Sequence, residues 1–332
     1  MSGAQSIIVP STFRRIGQKG LTWEIPRSLP TYFADVSKQV LGASTKYVIR
    51  SNEPRRPQYL IKYAQKHGKR ETLTEFFINQ LGLAIGLKMA HSGLLLADGV
   101  PTFVTRIFVG EDEVLRHGSL IIEDCFRREK ALDTKELDSI ERREEQEFYS
   151  IDFVIGVLRQ FCGDYFEAVL HPFLDMLVFD ALIGSMDRHS QNWGVLVPNT
   201  EPLTYKFAPV FDTARALLWS LNEDQIGSLS RDEKAFARHI EKARPCMGPV
   251  RNHPKVNKCN HFDFVANLLQ LYPKLVTLAI SKVSNGLGMK SARILRKFPF
   301  SKGFTGTRKR LILKILTARA DRLNEILGKG GS

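Results

Sequence analysis

The stretch DALIGSMDRHSQNWGVLVPN, Asp180 to Asn199, breaks the pattern of the chain around it. An apolar helical face (Leu174, Met176, Leu177, Ala181, Leu182) runs directly into Asp187, Arg188, His189, Gln191 and Asn192, and the apolar run WGVLV follows at once. Polar groups gathered between two buried elements need a reason, because burying such groups without partners is costly. Two reasons are available: they hold the loop together, or they do chemistry.

The neighbours of this loop differ on its two sides. Before it, FYSIDFVIGVLRQF (148–161) and HPFLDMLVFDALIG (171–184) read as buried helices. After it, WGVLV and FAPVF read as two short strands flanking the turn-like PNTEP, and helices continue to the end. The last of them, RKRLILKILTARADRLNEIL, carries Leu311, Ile315, Leu316, Leu323, Ile326 and Leu327 at helical spacing, which predicts an amphipathic helix with a charged outer face. Residues up to about 116 differ in character. KYVIR (46–50) and QYLIKYA (58–64) are strand-like, joined by SNEPRRP. ETLTEFFINQLGLAIGL places Phe76, Phe77, Leu81 and Ile85 on one helical face, with Thr72 and Glu75 spaced as a capping box. TFVTRIFVGEDEVLR reads as a hairpin around Gly110, Glu111 and Asp112. KALDTKELDSIERREEQEF (130–148) is highly charged and reads as a solvent-facing segment or a partly mobile loop. The expected architecture is therefore α+β and bilobal: a small β-rich lobe over 1–116 and a larger, mostly helical lobe over 117–332. A cleft between two such lobes is a favoured place for a ligand.

Bulk properties narrow the function. The chain has 332 residues and a formal net charge of +13, with the basic residues dispersed. That charge suits phosphate-bearing or acidic partners, and its dispersal gives no case for direct nucleic-acid binding. No apolar run reaches the roughly 20 residues of a transmembrane helix, and the start, MSGAQSIIVPSTFRR, lacks the pattern of a secretory signal. Four cysteines argue against a disulfide scaffold and for a reducing compartment. Cys246, His253, Cys259 and His261 have the spacing of no zinc module and read as part of a Pro-rich surface loop.

Phosphoryl transfer is the chemistry that fits the loop. It calls for a carboxylate beside the attacking hydroxyl, oxygen ligands for Mg²⁺ and a cation on the nucleotide phosphates. In protein kinases an Asp and an Asn five residues later share one loop, the first orienting the hydroxyl and the second binding metal. Asp187 and Asn192 stand at that spacing, and PVFDTA supplies a further carboxylate, Asp212, after the second strand. The first lobe offers Lys62 at the end of a strand and Glu75 on the next helix, a pairing that would keep a buried lysine charged. Taken singly, Lys62 is an exposed strand end, Glu75 a helix cap and Asp212 a turn residue. Their order along the chain, each on the element the mechanism requires, is what carries the reading. His189 alone reads as a packing and backbone-bonding histidine, Arg188 as a loop-stabilising cation, Asp180 as structural and Trp193 as core.

The segment IGSMDRHSQNWGVL…FAPVFDTA resembles the HipA-like serine/threonine kinases, in particular the compact HipA/CtkA-type toxin and effector kinases. Gly184, Asp187, His189, Asn192, Pro209 and Asp212 fit the family pattern, and Ser185 replaces its usual Asn. The resemblance implies an ATP- and Mg²⁺-dependent kinase with Asp187 as base, Asn192 and Asp212 as metal ligands, and Lys62, supported by Glu75, on the phosphates of ATP. His189 would lie on the nucleotide side. The stretch Leu115–Leu120, including His117 and Gly118, would be the hinge that meets adenine. LGASTKYV would be the phosphate loop, with Gly42, Ala43, Ser44, Thr45 and Lys46 beside the phosphates, and Ser44, Thr45 and Ser37 as candidate autophosphorylation sites. The implied partners are a protein substrate and an antitoxin or host-cell protein. The implied location is the cytoplasm of a bacterium, or a host cell reached by a route that needs no signal peptide. Two other readings stay open at this point. One is a phosphoinositide-kinase-like lipid kinase, which shares a D-R-H-x-x-N loop. The other is a non-catalytic docking pseudokinase.

Overall fold

The computed structural model describes residues 13–15, 32–35, 46–51, 58–62, 68–97, 100–130, 149–249, 259–298 and 304–329. A six-stranded antiparallel sheet contains β1 (Phe13–Arg15), β2 (Tyr32–Asp35), β3 (Lys46–Ser51), β4 (Gln58–Lys62), β5 (Ser92–Ala97) and β6 (Val100–Arg106), in the order β1-β5-β6-β4-β3-β2. One helix, α1 (Lys69–Ala84), packs against it. The register pairs Lys62 with both Lys46 of β3 and Phe103 of β6, so the end of β4 lies in the interior of the sheet.

The helix α1 differs from the sequence expectation at its start. It begins at Lys69 after Gly68, whose φ of 55° suits a residue without a Cβ, and no side chain caps it. Thr72 and Glu75 are therefore inside the helix and buried, and Glu75 is released from capping. The expected hairpin over 102–116 does not form either. β6 pairs with β5 and β4, whereas β7 (Glu113–His117) pairs with β8 (Gly194–Pro198) in a separate three-stranded sheet completed by β9 (Lys206–Phe207). Period-2 alternation identified both strands but could not choose their partners. The expected lobe boundary at residue 116 thus falls inside β7.

The helices are α2 (Gly118–Lys130), α3 (Ile151–Cys162), α4 (Phe166–Ile183), α5 (Glu223–Arg231), α6 (Glu233–Lys242), α7 (His261–Leu271), α8 (Pro273–Ser284), α9 (Leu287–Arg296) and α10 (Gly306–Lys329). α4 is buried on nearly every face, as expected of a helix apolar all round, and α3, α7, α8 and α10 surround it. It stops at Gly184, whose left-handed φ of 66° lets its N–H return to Asp180 O. That stop delivers the chain to the Asp187 loop.

The charged outer face expected of α10 is only partly charged and outer. Arg308 and Arg319 are buried. Arg308 donates to Leu218 O and Leu221 O at 2.8 and 2.6 Å and pairs with Glu223. Arg319 donates to Ala181 O at 2.7 Å and to Ile240 O. Arg308 thus satisfies carbonyls in the turn over 218–221, and Arg319 satisfies carbonyls in the last turns of α4 and α6.

α1 is also held from the C-terminal side. It packs against α9, and Phe298 lies 5.7 Å from Phe76 and 6.3 Å from Phe77, stacked in turn on Phe304 at 4.6 Å. The helix that carries Glu75 is thereby gripped by a segment more than 200 residues further along the chain.

Candidate active site

Three segments converge on Lys62. Its Nζ lies 3.1 Å from Glu75 Oε2 on α1 and 2.6 Å from Asp212 Oδ1 in the turn after β9. Burial opposes the charge on Lys62, but Glu75 and Asp212 outweigh it and hold its pKa above the ordinary lysine value. The trio carries one formal positive and two negative charges, so it retains room for a further cation.

The turn that presents Asp212 is stitched to the β-rich part of the chain. Met89 and Val210 form a parallel bridge, with Val210 N donating to Lys88 O at 2.8 Å and Ala90 N to Val210 O at 3.0 Å. Asn79 of α1 donates to Ala90 O at 2.7 Å. Asp212 itself has a φ of 51°, a left-handed conformation that non-glycine residues rarely hold unless their surroundings impose it.

The loop from Asp187 to Asn192 is organised by one buried cation. Arg188 forms a two-pronged pair with Asp180, Nε to Oδ2 at 2.8 Å and Nη2 to Oδ1 at 3.0 Å. Its Nη1 donates to Asn192 O at 2.7 Å and to Phe211 O at 2.8 Å. One side chain therefore ties together α4, the loop and the residue before Asp212. Burial disfavours the charge on Arg188, but Asp180 more than compensates and raises its pKa. Beneath the loop, Trp193 is buried, donates from its indole N–H to Tyr149 Oη at 2.7 Å and packs on Phe173.

Asn192 spends its amide N–H groups within the loop, on Asp187 O at 2.7 Å and His189 Nε2 at 3.2 Å. That leaves its amide oxygen as the end suited to a metal. Asp187 receives Arg215 Nη1 at 3.0 Å on Oδ1. Arg215 lies three residues past Asp212, and nothing in its surrounding sequence singles it out.

The donor set fits Mg²⁺: a carboxylate from Asp212 and an amide oxygen from Asn192 are hard oxygen ligands, and Mg²⁺ takes few ligands from protein when phosphates and water complete its shell. Among the described residues no group of three or more His, Cys, Asp or Glu side chains could hold a metal ion. The cysteine–histidine set considered from sequence is not such a group there, and His253 lies outside the described residues. Nor is His261 on a surface loop. It is buried at the start of α7, with Nε2 2.6 Å from Ser185 O.

Leu115–Leu120, expected to meet adenine, runs from β7 into α2 and touches the Asp187 loop. His117 pairs with Gly194 across β7 and β8, and its Nδ1 is 2.8 Å from Gln191 O. The Gly118 N–H donates to Trp193 O at 3.0 Å, and a Cβ at Gly118 would come within 2.3 Å of the Trp193 ring. These residues buttress the Asp187 loop from behind. The crossing from one sheet to the other is made by 107–112, where Phe108 packs on Phe211 at 5.7 Å. Of the expected phosphate loop, Gly42, Ala43, Ser44, Thr45 and also Ser37 lie outside the described residues, and Lys46 opens β3.

An antiparallel sheet with one helix, a helical body, and a lysine–glutamate pair meeting the Asp212 carboxylate define the kinase-like fold class. The chain belongs to the HipA-like C-terminal domain family, whose model matches residues 39–267. It is similar to the serine/threonine-protein kinase CtkA of Helicobacter pylori (strain J99), with 29% identity over 114 residues, 31% of this chain. That match spans 33% of the length of the relative. A crystal structure of the Helicobacter pylori proinflammatory kinase CtkA superposes with a TM-score of 0.67 at 17% identity, covering 86% of this chain and 95% of that one. HipA in the Shewanella oneidensis HipA, HipB and operator DNA complex gives a TM-score of 0.54 at 10% identity, covering 98% of this chain and 74% of that one. Both share the fold. Among the described residues no helix is long and apolar enough to cross a membrane.

Proposed function

We propose that this chain is an ATP- and Mg²⁺-dependent kinase that transfers the γ-phosphoryl group to a serine or threonine hydroxyl of a protein. The observation that carries the reading is Lys62 held between Glu75 and Asp212, at 3.1 and 2.6 Å, beside a loop that presents Asp187 and Asn192. A lysine fixed by a helix glutamate, and within reach of a metal-binding aspartate, is what nucleotide phosphates require. In this reading Lys62 exchanges its contact with Asp212 for phosphate oxygens, while Glu75 keeps the ammonium in place. Asn192 and Asp212 would hold Mg²⁺, which would supply charge neutralisation for the nucleotide phosphates. Asp187 orients the acceptor hydroxyl and takes its proton.

The acceptor is a protein, and its partner is an antitoxin or a host-cell protein. Family membership and the similarity to CtkA support a protein acceptor over a phosphoinositide headgroup. Retention of Lys62, Asp187, Asn192 and Asp212 supports a working enzyme over a docking pseudokinase. Autophosphorylation at Ser44 or Thr45, or else Ser37, belongs to the same proposal; a phosphate there would add up to about two negative charges.

The test is incubation of the purified protein with Mg²⁺ and γ-labelled ATP, alone and with cell lysate, beside an Asp187→Asn variant. The wild type should label itself or a lysate protein on Ser or Thr. The variant should be slower by about 10²–10⁴-fold, the range of general-base and positioning effects. Labelling of phosphoinositide vesicles with no labelled protein would establish the lipid-kinase alternative. No labelling by the wild type would end the kinase reading.

A further inference from the structure

The segment from Asp212 to Leu217 runs between two non-glycine residues in left-handed conformation, with φ of 51° and 52°. It is anchored at its far end to the close of α4, through Leu217 N to Ile183 O at 2.9 Å and Met186 N to Arg215 O at 3.2 Å. Its middle residues Thr213, Ala214 and Ala216 are buried. The Arg215 backbone is thus clamped to the residue immediately before Asp187. Its side chain stays about one-third exposed, with its guanidinium 5.8 Å from the centre of the Trp219 ring and Nη1 3.0 Å from Asp187 Oδ1. Among the described residues, Arg215 is the one cation bonded to Asp187.

Lys62 and Arg188 are both committed elsewhere, the first to Glu75 and Asp212 and the second to Asp180 and backbone carbonyls. Neither is bonded to the carboxylate that faces the acceptor. A carboxylate on a surface loop samples several rotamers, and a guanidinium on a rigid backbone removes that freedom in advance.

We propose that Arg215 is a positioning residue for Asp187: it holds the carboxylate by one oxygen, Oδ1, so that the other is directed to the acceptor hydroxyl. The inference rests on the kinase reading above. In the transfer step the acceptor oxygen forms its bond to the γ-phosphorus, the bond from that phosphorus to the ADP oxygen breaks, and the hydroxyl proton passes to Asp187. Arg215 touches none of the reacting atoms and acts through Asp187. Because Arg215 is three residues from Asp212, one short strap carries both the metal-binding carboxylate and the group that aims the base.

The experiment compares wild type, Arg215→Met, Arg215→Lys, Asp187→Asn and the Arg215→Met/Asp187→Asn double variant. Transfer from γ-labelled ATP to whichever protein the wild type labels is measured beside calorimetric Mg·ATP affinity and thermal melting. Arg215→Met should lose about 10–10² in transfer rate, the scale of a misplaced catalytic group. Its Mg·ATP affinity and melting temperature should be unchanged, and Arg215→Lys should recover part of the rate. In the Asp187→Asn background the Arg215→Met change should cost nothing further, a result that a merely structural role would not produce. An unchanged or faster Arg215→Met enzyme, a parallel loss of Mg·ATP affinity, or a full additional loss in the double variant would each overturn the assignment while leaving the kinase reading intact. A wild type that labels nothing removes that reading and this inference together.

Discussion

Two ion-paired cations, Arg188 and Lys62, hold the candidate site and serve opposite ends. Arg188 meets Asp180 with both partners almost wholly buried, and its remaining donors reach backbone carbonyls on two other segments. Lys62 is also buried, but one of its carboxylates, Asp212, has a side chain 24% exposed and sits at the end of a strained turn. The first arrangement has all three guanidinium nitrogens engaged and no exposed carboxylate to exchange. The second has an excess carboxylate at an accessible edge. Similar chemistry thus builds a scaffold where it is closed and, in the proposed reading, a binding site where it is left open on one side.

The largest difference between the two should appear in stability. Removing one member of a buried pair strands the other charge. Arg188→Met should destabilise the fold by about 3–5 kcal/mol, the range for such a loss. Urea denaturation should show it as a large fall in midpoint, and an undiminished midpoint would mean that Arg188 is not the scaffold.

Lys62→Met should destabilise the fold less than Arg188→Met, because it strands the buried Glu75 carboxylate but leaves Asp212 with access to water. Its loss should fall on catalysis, by about 10²–10³-fold, as is common for an electrostatic group that supports the transition state. Transfer rate and denaturation midpoint measured on the same preparation would decide. A variant that unfolds yet retains its specific activity would reverse the comparison.

The smallest effect is a pH dependence on the scaffold side. Burial, with Arg319 adding to it, lowers the pKa of His261 to about 3 from the ordinary histidine value of 6.5, against an opposing hydrogen bond to Ser185 O. The unfolded chain therefore binds a proton between those values that the folded chain refuses. The contribution is fully present above about pH 6.5 and is lost as pH falls towards 3. Between pH 7 and pH 5, His261 should account for about 1–2 kcal/mol of lost stability. His261→Gln should have a flatter profile of midpoint against pH over that interval. An equally steep profile would show that His261 is not the group responsible.

Much of the site was legible in the sequence, because its spacing reflects local geometry. Asp187 and Asn192 share one loop, and Lys62 ends a strand just before the helix of Glu75. What could not be read depends on partners distant in sequence. TLTE has the form of a capping box, but Gly68 starts the helix earlier and Glu75 is drawn to Lys62. β7 alternates like half of a hairpin, yet its partner is β8, some eighty residues on. Arg308 and Arg319 follow the periodicity of a solvated face, but open carbonyls of neighbouring turns draw them inward. The Phe298 grip on α1 and the Arg215 contact with Asp187 arise from chain crossings that local patterning does not encode.

The central claim is that Lys62 from the sheet and Asp212 from the helical part build a single Mg²⁺-dependent nucleotide site. Calorimetric titration of ATP into wild type and Asp212→Asn, each with Mg²⁺ and with EDTA, tests it most directly. The wild type should bind ATP more tightly with Mg²⁺ than without, and Asp212→Asn, still folded, should lose that difference. Equal Mg·ATP affinity in the two proteins, with the same dependence on Mg²⁺, would contradict the account.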